Sequence, residues 1–272
     1  MAEKRFEGRV AWITGGANGF GAGVARRLSS LGAQVVVSDV DRDNGEKVAA
    51  ETGGNFVPCD VSSYDDNEAA VRSVLDQHGR LDIAFLNAGI ATGVGIGDDF
   101  DLERYRRAMS INLDGVAFGL HHVLSAMTGR GGDVVATASL AGLVATPFDP
   151  IYGANKHAVV GLVRAAGAAY GPQGIRVNAL CPGFADTNIV SAEAREALAS
   201  IGVPLLEVDR VVDAFVAAIE SGEGGQCWYI QPGRDIEPFR FRNVPGPRDE
   251  SGARASEHAG DIQQALVDRD AH

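Results

Sequence analysis

Basic charge, cysteine and long apolar runs are all scarce in this chain. Its 272 residues carry 24 Lys and Arg against 36 Asp and Glu, a formal charge of −12, with a pI near 4.9. Such a surface repels phosphate, which argues against a nucleic acid or an anionic membrane as partner. The excess acid itself reads first as a source of solubility. The three cysteines, Cys59, Cys181 and Cys227, are far apart and form no C-x-x-C pair. They are expected to be reduced, partly buried thiols of a cytosolic protein, and no metal-ligand set is expected. No apolar run reaches the ~18 residues that a membrane-spanning helix needs. The first residues, Met1 to Arg9, lack the apolar stretch of a secretory leader. No internal repeat is found.

Glycine, by contrast, is abundant, with 35 residues, and much of it falls where strands give way to helices. Val10-Ala11-Trp12-Ile13-Thr14 is suited to a buried strand. It runs into Gly15-Gly16-Ala17-Asn18-Gly19-Phe20-Gly21, then a helical pattern over 24–31 that stops at Gly32. A second strand follows over 34–39. In such a strand–loop–helix–strand unit, glycines let a pyrophosphate approach the backbone, and the helix N-terminus offers free N–H groups and partial positive charge. Asp39, at the end of the second strand, is placed to accept hydrogen bonds from an adenosine ribose. No Lys-Ser or Lys-Thr follows the last glycine, which argues against a P-loop.

Further strands are expected over 55–58, 81–86, 134–139, 175–180 and 227–231, alternating with helices over 43–51, 64–78, 101–127, from 150 onward, 191–200 and 207–220. Alternation of this kind predicts a Rossmann-like, doubly wound α/β fold: a seven-stranded, mainly parallel sheet with helices on both faces and ligands at the carboxyl ends of the strands. The chemistry-bearing residues fall at those ends. Asp60 and Val61 follow the third strand; Asp60 is equally readable as a contact to an adenine amino group and as a loop acid. Asn87-Ala88-Gly89 closes the fourth strand. Asn112 sits inside the helix over 101–127, where an Asn is mildly unfavourable unless it serves backbone or water.

Ser139 closes the fifth strand, and Asp149-Pro150 opens the next helix as N-cap and first helical residue. Tyr152 and Lys156 stand four apart and therefore share a helix face. A hydroxyl, a phenol and an ammonium brought together can move protons. From residue 232 onward Arg, Pro, Gly and Asp dominate, so residues 1–233 are expected to form one α/β domain and 234–272 a polar tail. Phe239 and Phe241 interrupt that tail as candidates to cover the site or pack on another subunit.

The ordered set Thr14-Gly15-x-x-x-Gly19-x-Gly21, Asp60-Val61, Asn87-Ala88-Gly89, Asn112, Ser139, Tyr152-x-x-x-Lys156 and Pro182-Gly183 with Thr187 resembles the short-chain dehydrogenase/reductase family over roughly residues 6–233. The resemblance implies an NAD(P)-dependent oxidoreductase with Tyr152 as proton donor and acceptor, Lys156 as its partner and Ser139 orienting the substrate oxygen. It implies that Asn112 supports the active-site water and backbone. It places Gly15, Asn18, Gly19 and Phe20 along the cofactor's phosphate and ribose, Asn87, Ala88 and Gly89 beside its path, and Pro182, Gly183, Ala185 and Thr187 at the carboxamide. Phe20, where an aliphatic residue is more usual, and Asn155, where Ser is frequent, depart from the pattern without removing a reacting group.

A free tyrosine has a pKa of about 10; Lys156 and an oxidised nicotinamide are expected to draw it down, at about 3–4 kcal/mol. Asp39 would repel a ribose 2′-phosphate, so NAD is expected over NADP, with Arg42 as the one nearby base. Val94, Ile96, Leu140, Leu143, Val144, Phe148, Phe184, Ile189 and Val190 are candidate walls for an apolar secondary alcohol or ketone, or else core. An NADPH-dependent 3-oxoacyl thioester reductase and a non-catalytic nucleotide sensor are the alternatives. The resemblance further implies a homodimer or homotetramer through the helices at 101–127 and 150–170.

Overall fold

In a computed structural model of the chain, which describes residues 4–93, 95–187, 189–254, 256, 260 and 261, the residues divide into two compact units, Met1–Pro238 and Phe239–His272. The first unit is built on eight strands: β1 Val10–Thr14, β2 Gln34–Asp39, β3 Asn55–Pro58, β4 Ile83–Leu86, β5 Gly132–Thr137, β6 Ile175–Pro182, β7 Cys227–Ile230 and β8 Glu237–Pro238. Their order is β3-β2-β1-β4-β5-β6-β7-β8. The pairs from β3 through β7 are all parallel, and only β8 joins antiparallel. The expected seven strands thus become eight. The added one is two residues long and contains a proline, too short for any periodic signal and tolerable only because it lies at an edge. The strand order reverses between β1 and β4, where a doubly wound sheet opens a crevice at its carboxyl edge.

Eight α-helices accompany the sheet among the described residues: α1 Gly19–Ser30, α2 Arg42–Thr52, α3 Tyr64–His78, α4 Leu102–Met109, α5 Gly115–Met127, α6 Pro150–Tyr170, α7 Ala192–Ser200 and α8 Val208–Glu220. α1 packs against α2 and α8; α3, α5 and α6 form a second group. Between α1, α8 and the sheet lies a core that includes Ile13, Leu28, Val37, Phe85 and Phe215, with the rings of Phe85 and Phe215 4.8 Å apart. The continuous helix expected over 101–127 is interrupted: Ser110–Asp114 is a π-helical turn between α4 and α5. β4 and β5 also sit one or two residues from the expected bounds.

At the amino ends of the strands the sheet is tied by charge. Asp133, almost fully buried, pairs with both Arg9 and Arg176, and Asp82 pairs with Arg80 while accepting the Val10 N–H at 2.9 Å. The three cysteines are free and buried. Burial pushes the Cys59 thiol up to about 12. In the second unit, Phe239 and Phe241 meet edge to face, with ring centroids 5.0 Å apart.

Candidate active site at the carboxyl edge of the sheet

The glycine loop joins β1 to α1. Gly15 has φ +62°, and a Cβ there would lie 2.7 Å from the Ala88 Cα; at Gly21 it would lie 2.1 Å from the Gly15 carbonyl oxygen. These two positions admit only glycine because the loop folds tightly onto itself and onto the end of β4. Asn18 is the N-cap of α1, and no side chain caps that terminus. Asp39 is half-buried at the end of β2; its carboxylate accepts the Ala17 N–H at 3.0 Å and the Asp41 N–H at 3.0 Å. The acid therefore also fastens the glycine loop. Nearby Arg42 is turned away, paired with Glu46 at 3.0 Å and lying 5.8 Å over the Phe56 ring. Val40 beside Asp39 is exposed.

From the loop, one chain of hydrogen bonds runs across three strand ends. Asn87 Nδ2 donates to the Gly15 carbonyl at 3.1 Å, and its backbone N–H donates to Thr14 Oγ1 at 2.9 Å. Asn87 Oδ1 accepts from Thr137 Oγ1 at 2.9 Å. The Thr137 carbonyl accepts from Lys156 Nζ at 2.8 Å. The expected nucleotide loop and the expected proton-handling lysine are thus parts of one network.

Lys156 is almost fully buried, and burial lowers its ammonium to about 8. Its Nζ lies 5.7 Å from the centre of the Tyr152 ring. Tyr152 is half-buried. Burial pushes its phenol above the ordinary value, a hydrogen bond with Ser139 opposes that, and the nearby Asp149 carboxylate adds to it. Burial thus outweighs the Ser139 hydrogen bond, and the polypeptide alone leaves the phenol above its ordinary value; the expected lowering is for Lys156 acting together with an oxidised nicotinamide. Ser139 Oγ also accepts the Ala141 N–H at 3.1 Å, which fixes the hydroxyl at the start of a single 3-10 turn.

Asn112 is fully buried within the π turn. Its Oδ1 accepts the Ile90 N–H at 2.8 Å and its Nδ2 donates to the Ile90 carbonyl at 2.9 Å. An unfavourable helical residue is explained by a backbone it serves, and a π turn is the kind of helix irregularity that aims a side chain in this way. A Cβ at Gly89 would lie 3.2 Å from Asn112 Oδ1 and 3.9 Å from Lys156 Nζ, so these three positions meet.

Other expected residues are placed differently. Thr187 stands over the glycine loop, its Cγ2 3.5 Å from a Cβ built on Gly19. Gly183 continues from β6 with its N–H on the Ile230 carbonyl at 3.0 Å. Ala185 is buried and bridges to Leu206. Arg195 holds the 186–190 segment through Asp186, the Thr187 carbonyl and the Val190 carbonyl. Phe20 packs its ring on the core, and Val61 is buried against Gly115. Asp60 is exposed, with Oδ1 accepting from the Ser62 N–H and hydroxyl, the loop-acid reading of that residue. A cavity of about 650 Å³ lined in part by Asn18, Gly19, Asp186 and Thr187 adjoins the glycine loop without reaching Ser139, Tyr152 or Lys156.

Sequence reasoning missed Thr137 and Thr92 as site residues, and it saw Asp149 only as a cap. Thr92 is buried and donates to Asp149 Oδ1 and Oδ2, each at 2.6 Å. Position at a strand end was the only signal available for Thr137. Among the expected wall residues, Ile96, Val144, Phe148, Phe184 and Ile189 are exposed apolar side chains, and the rings of Phe148 and Phe184 lie 6.2 Å apart. Leu140 packs on Gly183. Val94 lies outside the described residues.

Comparison with known proteins gives the family. The profile of a family described as enoyl-(acyl carrier protein) reductase matches residues 15–203. The short-chain dehydrogenase reductase ATA1 of Arabidopsis thaliana is 37% identical over 226 residues, 82% of this chain and 83% of that protein. The chain belongs to the short-chain dehydrogenase/reductase family. A second relative within reach of this family member is a 2,5-dichloro-2,5-cyclohexadiene-1,4-diol dehydrogenase of Sphingobium indicum, 42% identical over 185 residues, 66% of this chain and 74% of that one. A 3-ketoacyl-(acyl-carrier-protein) reductase from Brucella melitensis, solved with NADH, superposes with a TM-score of 0.78 at 29% identity, covering 84% of this chain and 99% of that one. This short-chain dehydrogenase/reductase is accordingly a nicotinamide-dependent oxidoreductase that acts on a CH–OH group.

Proposed function

We propose that the chain is an NAD-dependent dehydrogenase of an apolar secondary alcohol, or the corresponding ketone reductase, with Ser139, Tyr152 and Lys156 as its proton-handling residues and Asn112 holding the adjoining backbone. The observation that carries this reading is the hydrogen-bond chain from Lys156 through Thr137 and Asn87 to Gly15. It binds proton chemistry and nucleotide loop into one rigid edge, as orientation-dependent catalysis requires. The uncapped start of α1 and the tight Gly15–Gly21 turn fit a pyrophosphate. Asp39, with Arg42 committed to Glu46, fits a ribose 2′-hydroxyl rather than a 2′-phosphate.

When bound, the nicotinamide supplies the hydride chemistry. Ser139 orients the reacting oxygen, and Tyr152 takes its proton in oxidation or returns it in reduction. Lys156, still mostly protonated below about 8, favours the phenolate that the oxidation direction needs. The exposed Phe148, Phe184, Val144 and Ile189 support an apolar substrate, and the cyclic diol named for the Sphingobium relative makes ring alcohols the first choice for a panel. Residues 239–272, rather than the expected 234–272, serve as an extension outside the catalytic domain, since Glu237–Pro238 pair with β7, and the enzyme works in the cytoplasm as a dimer or tetramer through the helices at 101–127 and 150–170.

Purified protein given oxidised cofactor and cyclic secondary alcohols is expected to form reduced nicotinamide, faster with NAD than with NADP at equal concentration. Tyr152→Phe is expected to bind NAD normally and lose at least about a hundredfold in kcat. Turnover near wild type in that variant would sink the site assignment, and a strong NADP preference would sink the reading of Asp39. Activity confined to NADPH and a 3-oxoacyl thioester would establish the thioester-reductase alternative.

A further inference from the structure

We infer that Asp149 is a positioning residue for proton transfer: one carboxylate latches the loop after β4 to the first turn of α6 and keeps a negative charge beside Tyr152. The inference rests on the reading of Tyr152 as the acid–base group.

The geometry is specific. Asp149 Oδ1 accepts the Tyr152 N–H at 3.0 Å, the ordinary bond of an N-cap. The same carboxylate accepts the Thr92 hydroxyl at 2.6 Å on either oxygen and the Gly93 N–H at 3.1 Å on Oδ2. An N-cap needs one acceptor atom; this one uses both. Its second oxygen reaches a loop 57 residues earlier in the chain, where Thr92 is buried. That loop is already held at Asn87 by Thr14 and at Ile90 by Asn112. Asp149 fastens its far end, so the residues flanking the cofactor path and the tyrosine three positions into α6 share one anchor.

The charge has a second effect. An aspartate at a helix N-terminus stabilises the helix, but here it opposes ionisation of the phenol. The groups that face Tyr152 are the Ser139 hydroxyl from the segment after β5, and Asp149 and Lys156 from α6 itself. From β6, the Cys181 thiol adjoins Lys156 and is held in its neutral form by burial and by Cys227. The Ser139 hydroxyl and the aspartate therefore act on Tyr152 in opposite senses. In oxidation, where the phenolate is the base, the aspartate moves the onset of activity to higher pH. In reduction it keeps the phenol protonated and able to donate.

Three variants of the full-length holoenzyme separate latch from charge. Asp149→Asn keeps a cap acceptor and a partner for Thr92 while removing the charge. Its acidic limb of kcat/KM for alcohol oxidation is expected to move down by about 0.5–1 pH unit. The phenolate absorbance of the NAD complex, taken as a difference from Tyr152→Phe, should move with it. Thr92→Val keeps the charge and breaks the latch; KM is expected to rise several-fold with the limb unmoved, and Thr92→Ser should restore it. Asp149→Ser, a neutral cap, gives the same charge test if the Asn variant fails to fold. An unmoved limb and phenolate transition in the neutral variants overturn the role of the charge, and wild-type kinetics in Thr92→Val overturn the latch. If Tyr152→Phe remains active, the site reading itself fails; if it is inactive and the Asp149 variants are unshifted, only Asp149 is misassigned.

Discussion

The two ends of the sheet are held by different chemistry. At the amino ends, Asp133 and Asp82 are buried and each is matched by arginine, Arg9 and Arg176 for one, Arg80 for the other. At the carboxyl ends, neutral groups tie strand to strand, Thr14, Asn87, Asn112 and Thr137, and the Asp39 and Asp149 carboxylates accept from N–H and hydroxyl groups. Lys156, the one buried cation among the described residues, is among them and rests on a carbonyl rather than a carboxylate. Neutral ties leave the local field to the few charges that matter for proton transfer. A matched ion pair at this end would bind the ammonium too firmly to influence a neighbouring phenol. The amino end has no such constraint, and charge there serves cohesion.

Removing charge should consequently have opposite effects at the two ends. The largest is expected for Asp133→Ala, which strands two arginines: a loss of about 3 kcal/mol in urea unfolding, the low end of the range for a broken buried pair because both arginines keep partial access to water. Turnover per folded molecule should be unchanged. Lys156→Met should instead raise stability by about 2 kcal/mol at pH 7 while abolishing turnover, since it removes a desolvated charge. The native ammonium releases its proton near 8, the unfolded one near 10.5, so the native state binds fewer protons between those values and wild-type stability rises with pH through that window. The advantage of Lys156→Met should therefore be full below pH 8 and fade above it; a gain independent of pH would contradict the cause. Asn112→Ala should cost about 2 kcal/mol by leaving both polar groups of Ile90 unpaired, with a matching fall in kcat. Arg26→Ala, which breaks an exposed pair with Glu51, should stay within about 1 kcal/mol and serves as the reference.

Much of this was legible in the chain before its structure. β1, β2, β3 and α3 fall on the expected residues, and the Asp149-Pro150 start of α6 is the cap that the dipeptide announces. Those elements carry local signals: apolar runs, caps, glycine stops. The eighth strand carries none, because two residues cannot alternate. The π turn is invisible to a periodicity that treats 101–127 as one helix. The motifs proposed for proton transfer and for the nucleotide could be read because each is short, but their physical joint could not. Thr137 looks like any residue ending a strand, and Thr92 is tied to Asp149 across 57 residues of chain. The direction in which the Tyr152 phenol is pushed depends on burial, which no motif encodes.

The π turn at Ser110–Asp114 has a consequence for the length of the chain. An α-helix advances about 100° per residue, and a π turn absorbs one residue more than an α turn does. Deleting a single residue between 110 and 114 would let α4 and α5 fuse into one regular helix with their faces kept nearly in phase, because the turn already absorbs the extra residue. Asn112 would then leave Ile90, while α5 would keep the face it packs against α3. This short segment is therefore locked in length as well as in composition: it tolerates substitution at its half-buried positions far better than the loss of one residue anywhere along it.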